Sequence, residues 1–154
     1  MKIKVNNVNI FRDLNHNLFL VIRIDLLEVL KFLKEFEEDY RELKFLLFKE
    51  QEIEDKMKEE LSKLVSEYSE DLGSLSKEEI KQIIFDDDGI TVHTIYDDEI
   101  FISRQEYPKI YNQLKKPSEE LDQITEKINE VLDKIEKRII NKIKAIELST
   151  EINI

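Results

Sequence analysis

Apolar positions recur along this chain with two different periods, and the change of period marks out its elements. In Leu18–Ile24, LFLVIRI, residues Leu18, Leu20, Ile22 and Ile24 fall at every second position. That spacing predicts a strand. Residues 2–12 supply a second strand across the turn-forming run Asp13–Asn17, in which His16 reads as a turn residue. Residues 1–24 are therefore expected to form a β-hairpin, with a bulge or bend where the first strand changes phase at Asn6-Asn7.

From Asp25 the period becomes helical. Asp25 and Glu28 make a capping box, and Leu26, Leu30, Leu33, Phe36, Tyr40, Leu43 and Leu47 follow at steps of three and four. After a phase slip near Glu50 the stripe resumes at Ile53, Met57, Leu61, Leu64, Tyr68 and Leu72, and Gly73 stands where a left-handed cap falls. The pattern predicts one long helix over 25–73, about 70 Å in length. Its first half is apolar almost all round, including Phe45-Leu46-Leu47-Phe48. One facing helix cannot cover such a surface. The N-terminal hairpin or a second protomer is expected to help, the protomer through Leu26, Leu30, Leu33, Phe36, Phe45 and Phe48.

Ser76 and Glu79 repeat the capping-box pattern and predict a short helix over 76–84. Residues 86–104 read as a second β-hairpin: a turn at Asp86-Asp87-Asp88-Gly89, strands at 90–96 and 99–103, and a tight turn at Asp97-Asp98 that sets His93 opposite Ile102. Residues 108–147 form a second long helix, expected to break at Pro117. Leu121, Ile124, Ile128, Val131 and Ile135 give it a heptad seam, continued by Ile139, Ile143 and Ile146. The tail 148–154 is a possible strand.

Together these elements predict a single domain over 1–154. It is mainly α with small β elements, an α+β chain. Its frame is a long antiparallel helical hairpin, a coiled-coil-like pair, with one β-hairpin at the N-terminus and an acidic one between the long helices. In arrangement, over roughly residues 26–147, the layout resembles that of prefoldin subunits, whose two coiled-coil arms are joined through β-hairpins. The N-terminal hairpin and the segment at 77–84 depart from that pattern. The resemblance implies a scaffold or chaperone-like role.

Composition narrows the function classes. Five Tyr, eight Phe and 41% hydrophobic residues exclude a disordered chain, and 38% charged residues suit long amphipathic helices. The net charge of −11 is unevenly placed. Residues 1–50 hold nine basic and nine acidic groups, residues 101–154 ten and ten, and residues 51–100 five and sixteen. Direct nucleic-acid binding needs a clustered basic face and is disfavoured. The absence of cysteine removes disulfides, thiolate nucleophiles and Cys-based zinc sites. Arg23, Asp25, Glu28 and Lys31 interrupt the most apolar stretch, so no membrane span is expected and the localisation expected is cytoplasmic. With only Gly73 and Gly89, no Gly-rich phosphate loop or Gly-x-Ser-x-Gly elbow can form. No cofactor is expected.

The candidate chemistry lies in the acidic middle. An EF-hand with Gly89 at its sixth position would need ligands where Ile84 and Ile95 stand, so that loop is excluded. Asp86, Asp88, Asp97, Asp98 and Glu99 could still converge on Mg²⁺ if the hairpin bends them together, with His93 as base or ligand of a metal-dependent hydrolase. Lys137, Arg138, Lys142 and Lys144 read as complements to the negative end of the last helix, or as an anion site.

The leading expectation is a non-enzymatic interaction protein, homodimeric, that binds and occludes or recruits a basic protein partner. An inhibitor of a nucleic-acid-processing protein fits this pattern, as in viral or host-defence mimics of nucleic acid. Glu59, Glu60, Glu67, Glu70, Asp71, Asp86, Asp87, Asp88, Asp97, Asp98 and Glu99 would present a phosphate-like potential. The scaffold and the hydrolase stand as alternatives.

Overall fold

The structure, a computed structural model, describes residues 5–12 and 17–149. The chain is mostly helical, with a small three-stranded antiparallel sheet, and belongs to the α+β class. Strands β1 (Val5–Arg12) and β2 (Leu18–Ile24) come first, followed by helix α1 (Leu26–Phe32), a 3₁₀ turn (Lys34–Phe36) and helix α2 (Glu37–Ser66). A single turn of helix, α3 (Ser69–Leu72), and a second 3₁₀ turn (Lys77–Glu79) lead into β3 (Ile80–Phe85), β4 (Gly89–Thr94) and β5 (Glu99–Ser103). Helix α4 (Pro108–Ser149) closes the chain. The residues group into two compact units, one of Met1–Phe45 with Glu130–Ile154, the other of Leu46–Asn129.

In the first unit β1 and β2 pair antiparallel, Ile10 opposite Leu20 and Phe11 opposite Phe19. The register slips between Val5 and Asn7, at the Asn6-Asn7 phase change. The Asp25 side chain accepts from the Leu27 amide at 3.0 Å and starts α1. The single helix expected over 25–73 is interrupted here. Leu33 is extended, with φ −100° and ψ 107°, and its carbonyl accepts from Phe36. Leu30 before the break and Phe36 after it are both at 0% exposure.

The Leu46–Asn129 unit holds a contiguous core. Leu61, Leu64 and Val65 of α2, Ile80 of β3, Ile90 and Val92 of β4, Ile102 of β5, and Ile110, Tyr111 and Leu114 of α4 pack together. Helix α2 ends at Ser66, short of the expected 73, and Tyr68 (φ −116°, ψ 34°) separates it from α3. Gly73 closes α3 with φ 73° and donates to the Ser69 carbonyl.

Three further expectations are corrected. The helix expected over 76–84 is only one 3₁₀ turn followed by strand β3, because Ser76 makes no side-chain cap and Ile80–Phe85, with β-branched Ile80, Ile83 and Ile84, pairs with β4. The acidic hairpin is therefore two strands of a three-stranded sheet, in the order β3-β4-β5. His93 stands opposite Glu99, not Ile102, since the β4–β5 loop takes four residues, 95–98. Thr94 Oγ1 accepts from the amides of Tyr96 and Asp98 and fixes that longer loop. Pro117 does not break α4. The proline forfeits one bond, to the carbonyl of exposed Gln113, while Ile110, Leu114 and Ser118 on adjoining turns are buried and hold the helix in place. The expected turn at 13–16 lies outside the described residues, as do residues 150–154 of the tail expected over 148–154, whose first two residues continue helix α4 and are not strand.

Candidate functional site

The charge map follows the structural division. The Leu46–Asn129 unit holds 22 acidic and 11 basic residues, a difference that equals the full net charge of −11. The other unit holds 13 of each.

Within the acidic unit the structure divides the expected carboxylates into two groups. Asp86, Asp87 and Asp88 form the β3–β4 turn, whereas Asp97, Asp98 and Glu99 lie at the β4–β5 turn. The triplets thus sit at opposite ends of β4, a strand about 20 Å long by ordinary strand rise. The expected convergence of five carboxylates on one Mg²⁺ does not occur. Among the described residues no group of three or more His, Asp and Glu side chains is placed to hold a metal ion. His93, half-buried, faces Gln82 on one side and Glu99 on the other.

The Asp86–Asp88 turn is built for rigidity. Asp86 Oδ1 accepts from the amides of Asp88 (2.8 Å) and Gly89 (3.0 Å). The Asp86 carbonyl accepts from Tyr111 Oη at 3.0 Å, and the Asp88 carbonyl from the Arg104 amide at 2.9 Å. The Arg104 guanidinium lies 4.6 Å from the centre of the Tyr111 ring. Gly89 is required by close approach: a Cβ there would collide with the Ile102 carbonyl and come within 2.9 Å of the Phe101 ring. The turn's backbone is thereby tied to the start of α4, while Asp87 and Asp88 remain exposed.

A second carboxylate group flanks the same helix end. Tyr107 packs edge-on against Tyr68, with ring centres 5.2 Å apart, and Lys109 Nζ pairs with Glu67 at 2.7 Å. These contacts bring Glu67 to the first turn of α4, and Asp71 and Glu106 lie close enough to act on Tyr107, while Glu70 is exposed beside Asp71 on α3. Burial, then the charges of Asp71 and Glu106, hold the Tyr107 hydroxyl above the usual tyrosine range. The hydrogen bond to Glu67 and its charge raise Lys109. Tyr111 bonds the Tyr107 carbonyl through its amide, so the two carboxylate groups attach one helical turn apart. Asp86–Asp88 therefore joins Glu67 and Asp71 near the N-terminus of α4, and Asp97–Glu99, at the far end of β4, does not. Glu59 and Glu60 are exposed on α2, about two turns before Glu67.

The expected oligomer contacts are also redistributed. Leu30 and Phe36 are fully buried within the chain and cannot meet a second protomer. Leu26 and Leu33 are half-buried, while Phe45 (59%) and Phe48 (68%) remain exposed.

Sequence reasoning missed Asp39. It is 3% exposed, its carboxylate meets Arg138, and Lys134 Nζ lies 3.4 Å away. Arg138 also donates to the Glu35 carbonyl at 2.9 Å and lies 4.4 Å over the Phe36 ring. Its assignment as a mere complement to the helix end is corrected accordingly. The signal was available: Asp39 lies three residues after Phe36, on the apolar face of the helical repeat.

A cleft of about 180 Å³ lies between Glu54, Met57 and Lys58 of α2, Lys81, Gln82 and Ile83 of β3, and Leu121 of α4. Burial, reinforced by the charge of Glu50, raises the Glu54 carboxyl above its ordinary value. No described helix is long and apolar enough to cross a membrane. Compared with protein-family models, curated proteins and solved structures, the chain matches none of them.

Proposed function

We propose that this chain is a non-enzymatic interaction protein that docks a basic protein partner on the carboxylates around the N-terminus of α4. The observation that carries this reading is the confinement of the whole net charge to the Leu46–Asn129 unit, with Asp87, Asp88, Glu67, Glu70 and Asp71 exposed there on supported elements. Rigid carboxylates of one sign raise the encounter rate and local concentration of a cationic surface. Proteins that act on nucleic acids carry such surfaces, so occlusion of a nucleic-acid-binding groove is the mode of action proposed.

The frame for this surface is an antiparallel, coiled-coil-like pairing of α2 with α4 within the Leu46–Asn129 unit. Two contacts support it: Thr125 donates to Glu50 of α2 at 3.3 Å and Lys109 to Glu67, the residue just after α2, at 2.7 Å, so α4 numbering falls as numbering along α2 rises.

The test compares two neutralised variants for affinity toward a captured basic partner. One carries Glu67→Gln, Glu70→Gln, Asp71→Asn, Asp87→Asn and Asp88→Asn, with Asp86 kept because it caps the turn. The other carries Asp97→Asn, Asp98→Asn and Glu99→Gln. The first should weaken binding by about tenfold or more, since loss of several charge pairs exceeds 1.4 kcal/mol. The second should change it little. Equal affinity for both variants and wild type would refute the proposal.

A further inference from the structure

The N-terminal hairpin carries an apolar surface that the acidic site does not use. Ile10 (79%), Leu18 (71%), Phe19 (48%) and Val21 (41%) are exposed. The register puts Ile10 and Leu18 on one face of the hairpin and Phe19 and Val21 on the other. Among the described residues this sheet has only two strands, so each strand has an outer edge with no strand beside it. A two-stranded sheet is marginal by itself. Strand β2 also lacks the lysines, prolines and carboxylates that ordinarily blunt an edge.

We infer that β2 pairs with β2 of a second copy of this chain, antiparallel and centred on Val21, to make a four-stranded sheet. Self-complementarity of the strand selects this occupant. With Val21 opposite Val21, the two-fold register sets Leu18 opposite Ile24, Leu20 opposite Ile22 and Phe19 opposite Arg23 of the second copy. Every pair is then apolar with apolar, or a guanidinium with an aromatic ring, and no two arginines meet. Strand β1 fares worse, because a pairing centred on Asn9, the residue opposite Val21, sets Asn9 against Asn9 and Asn7 against Phe11. Charge favours like association here as well. The unit that contains the hairpin has 13 acidic and 13 basic residues, so two copies meet there without net repulsion. A cationic protein would instead be drawn to the Leu46–Asn129 unit. The pairing is isologous and closes at two copies.

The chain has no cysteine, so single cysteines report on the register directly. Sedimentation of the full chain should give a dimer at micromolar concentration. Val21→Cys should form a covalent dimer on mild oxidation or with a short bifunctional thiol reagent. Leu18→Cys should not, because the two positions 18 stand about 20 Å apart in this register. Val21→Asp should weaken dimerisation at least tenfold while leaving the helical circular dichroism unchanged, since two carboxylates would then face each other across the pair. A monomer at all concentrations overturns the inference, as would follow if residues 151–154 or an unlike protein covered this edge. So does a dimer in which Leu18→Cys crosslinks as readily as Val21→Cys, or one indifferent to Val21→Asp. All these results are independent of the acidic site.

Discussion

The two units treat their charged groups in opposite ways. The Leu46–Asn129 unit keeps its charges on the surface and packs an apolar core of helix against sheet, with Leu61, Ile90, Ile110 and Leu114 at 0% exposure. The other unit is electrically neutral, yet it buries a carboxylate, Asp39, whereas exposed apolar side chains occur in both units, Phe48, Ile95 and Phe101 in the acidic one and Ile10 and Leu18 in the neutral one. A conventional interior leaves the acidic unit's exterior available for electrostatic recognition. The buried carboxylate of the neutral unit makes its stability depend on a specific ion pairing.

This contrast can be broken most forcefully at Arg138. Truncation to alanine leaves Asp39 buried with only the mainly exposed Lys134 beside it and removes the cation from the Phe36 ring. The expected loss is about 3–5 kcal/mol, the usual cost of breaking a buried ion pair by removing one member. Chemical denaturation followed by circular dichroism would measure it, and a loss below about 1 kcal/mol would place this pair among surface ion pairs.

Gly89→Ala probes the other unit. The added methyl meets the Ile102 carbonyl and the Phe101 ring, which should cost about 1–3 kcal/mol through overpacking. Retained stability would show that the β4–β5 pair can shift to accept a side chain. Gly73→Ala makes an informative companion, since nothing lies within 4 Å of its Cβ position and only its φ of 73° opposes the change.

The smallest effect is expected at Glu54. Its carboxyl binds a proton more tightly when folded, so the unfavourable contribution is absent below the ordinary glutamate range and develops as pH rises through it. Glu54→Gln should therefore raise the melting temperature slightly at neutral pH and leave it unchanged in acid. A rise of equal size at both pH values would assign the gain to packing in the cleft.

How much of this was legible in the sequence depends on whether the deciding interaction was local. The period-two run Leu18–Ile24 and the stripe Met57, Leu61, Leu64 coincide with a strand and with the buried face of α2, because side-chain alternation within one element reveals both. The segment Ser76–Phe85 misled because a capping-box pattern is local, whereas the pairing of Ile83 with Val92 is not. Pro117 misled for a similar reason: its cost is visible in the residue, while the compensating burial of Leu114 and Ser118 is visible only in the fold. The acidic site was half legible. Composition located the charge in the middle of the chain, and the strand between the two acidic turns already holds them apart, but only the packing of Tyr68 on Tyr107 and the bond from Tyr111 to the Asp86 carbonyl decide which turn lies near Glu67 and Asp71.

The central claim is that the Leu46–Asn129 unit recruits its partner by charge. Its most direct test is capture of cellular proteins by the full chain at low and at high salt, with wild type beside the five-carboxylate variant and the bound proteins identified by mass spectrometry. The account predicts that basic proteins are enriched at low salt, released as salt screens the carboxylates, and lost with the variant. Captured proteins that are not basic, or that stay bound to the variant and in high salt, would contradict it.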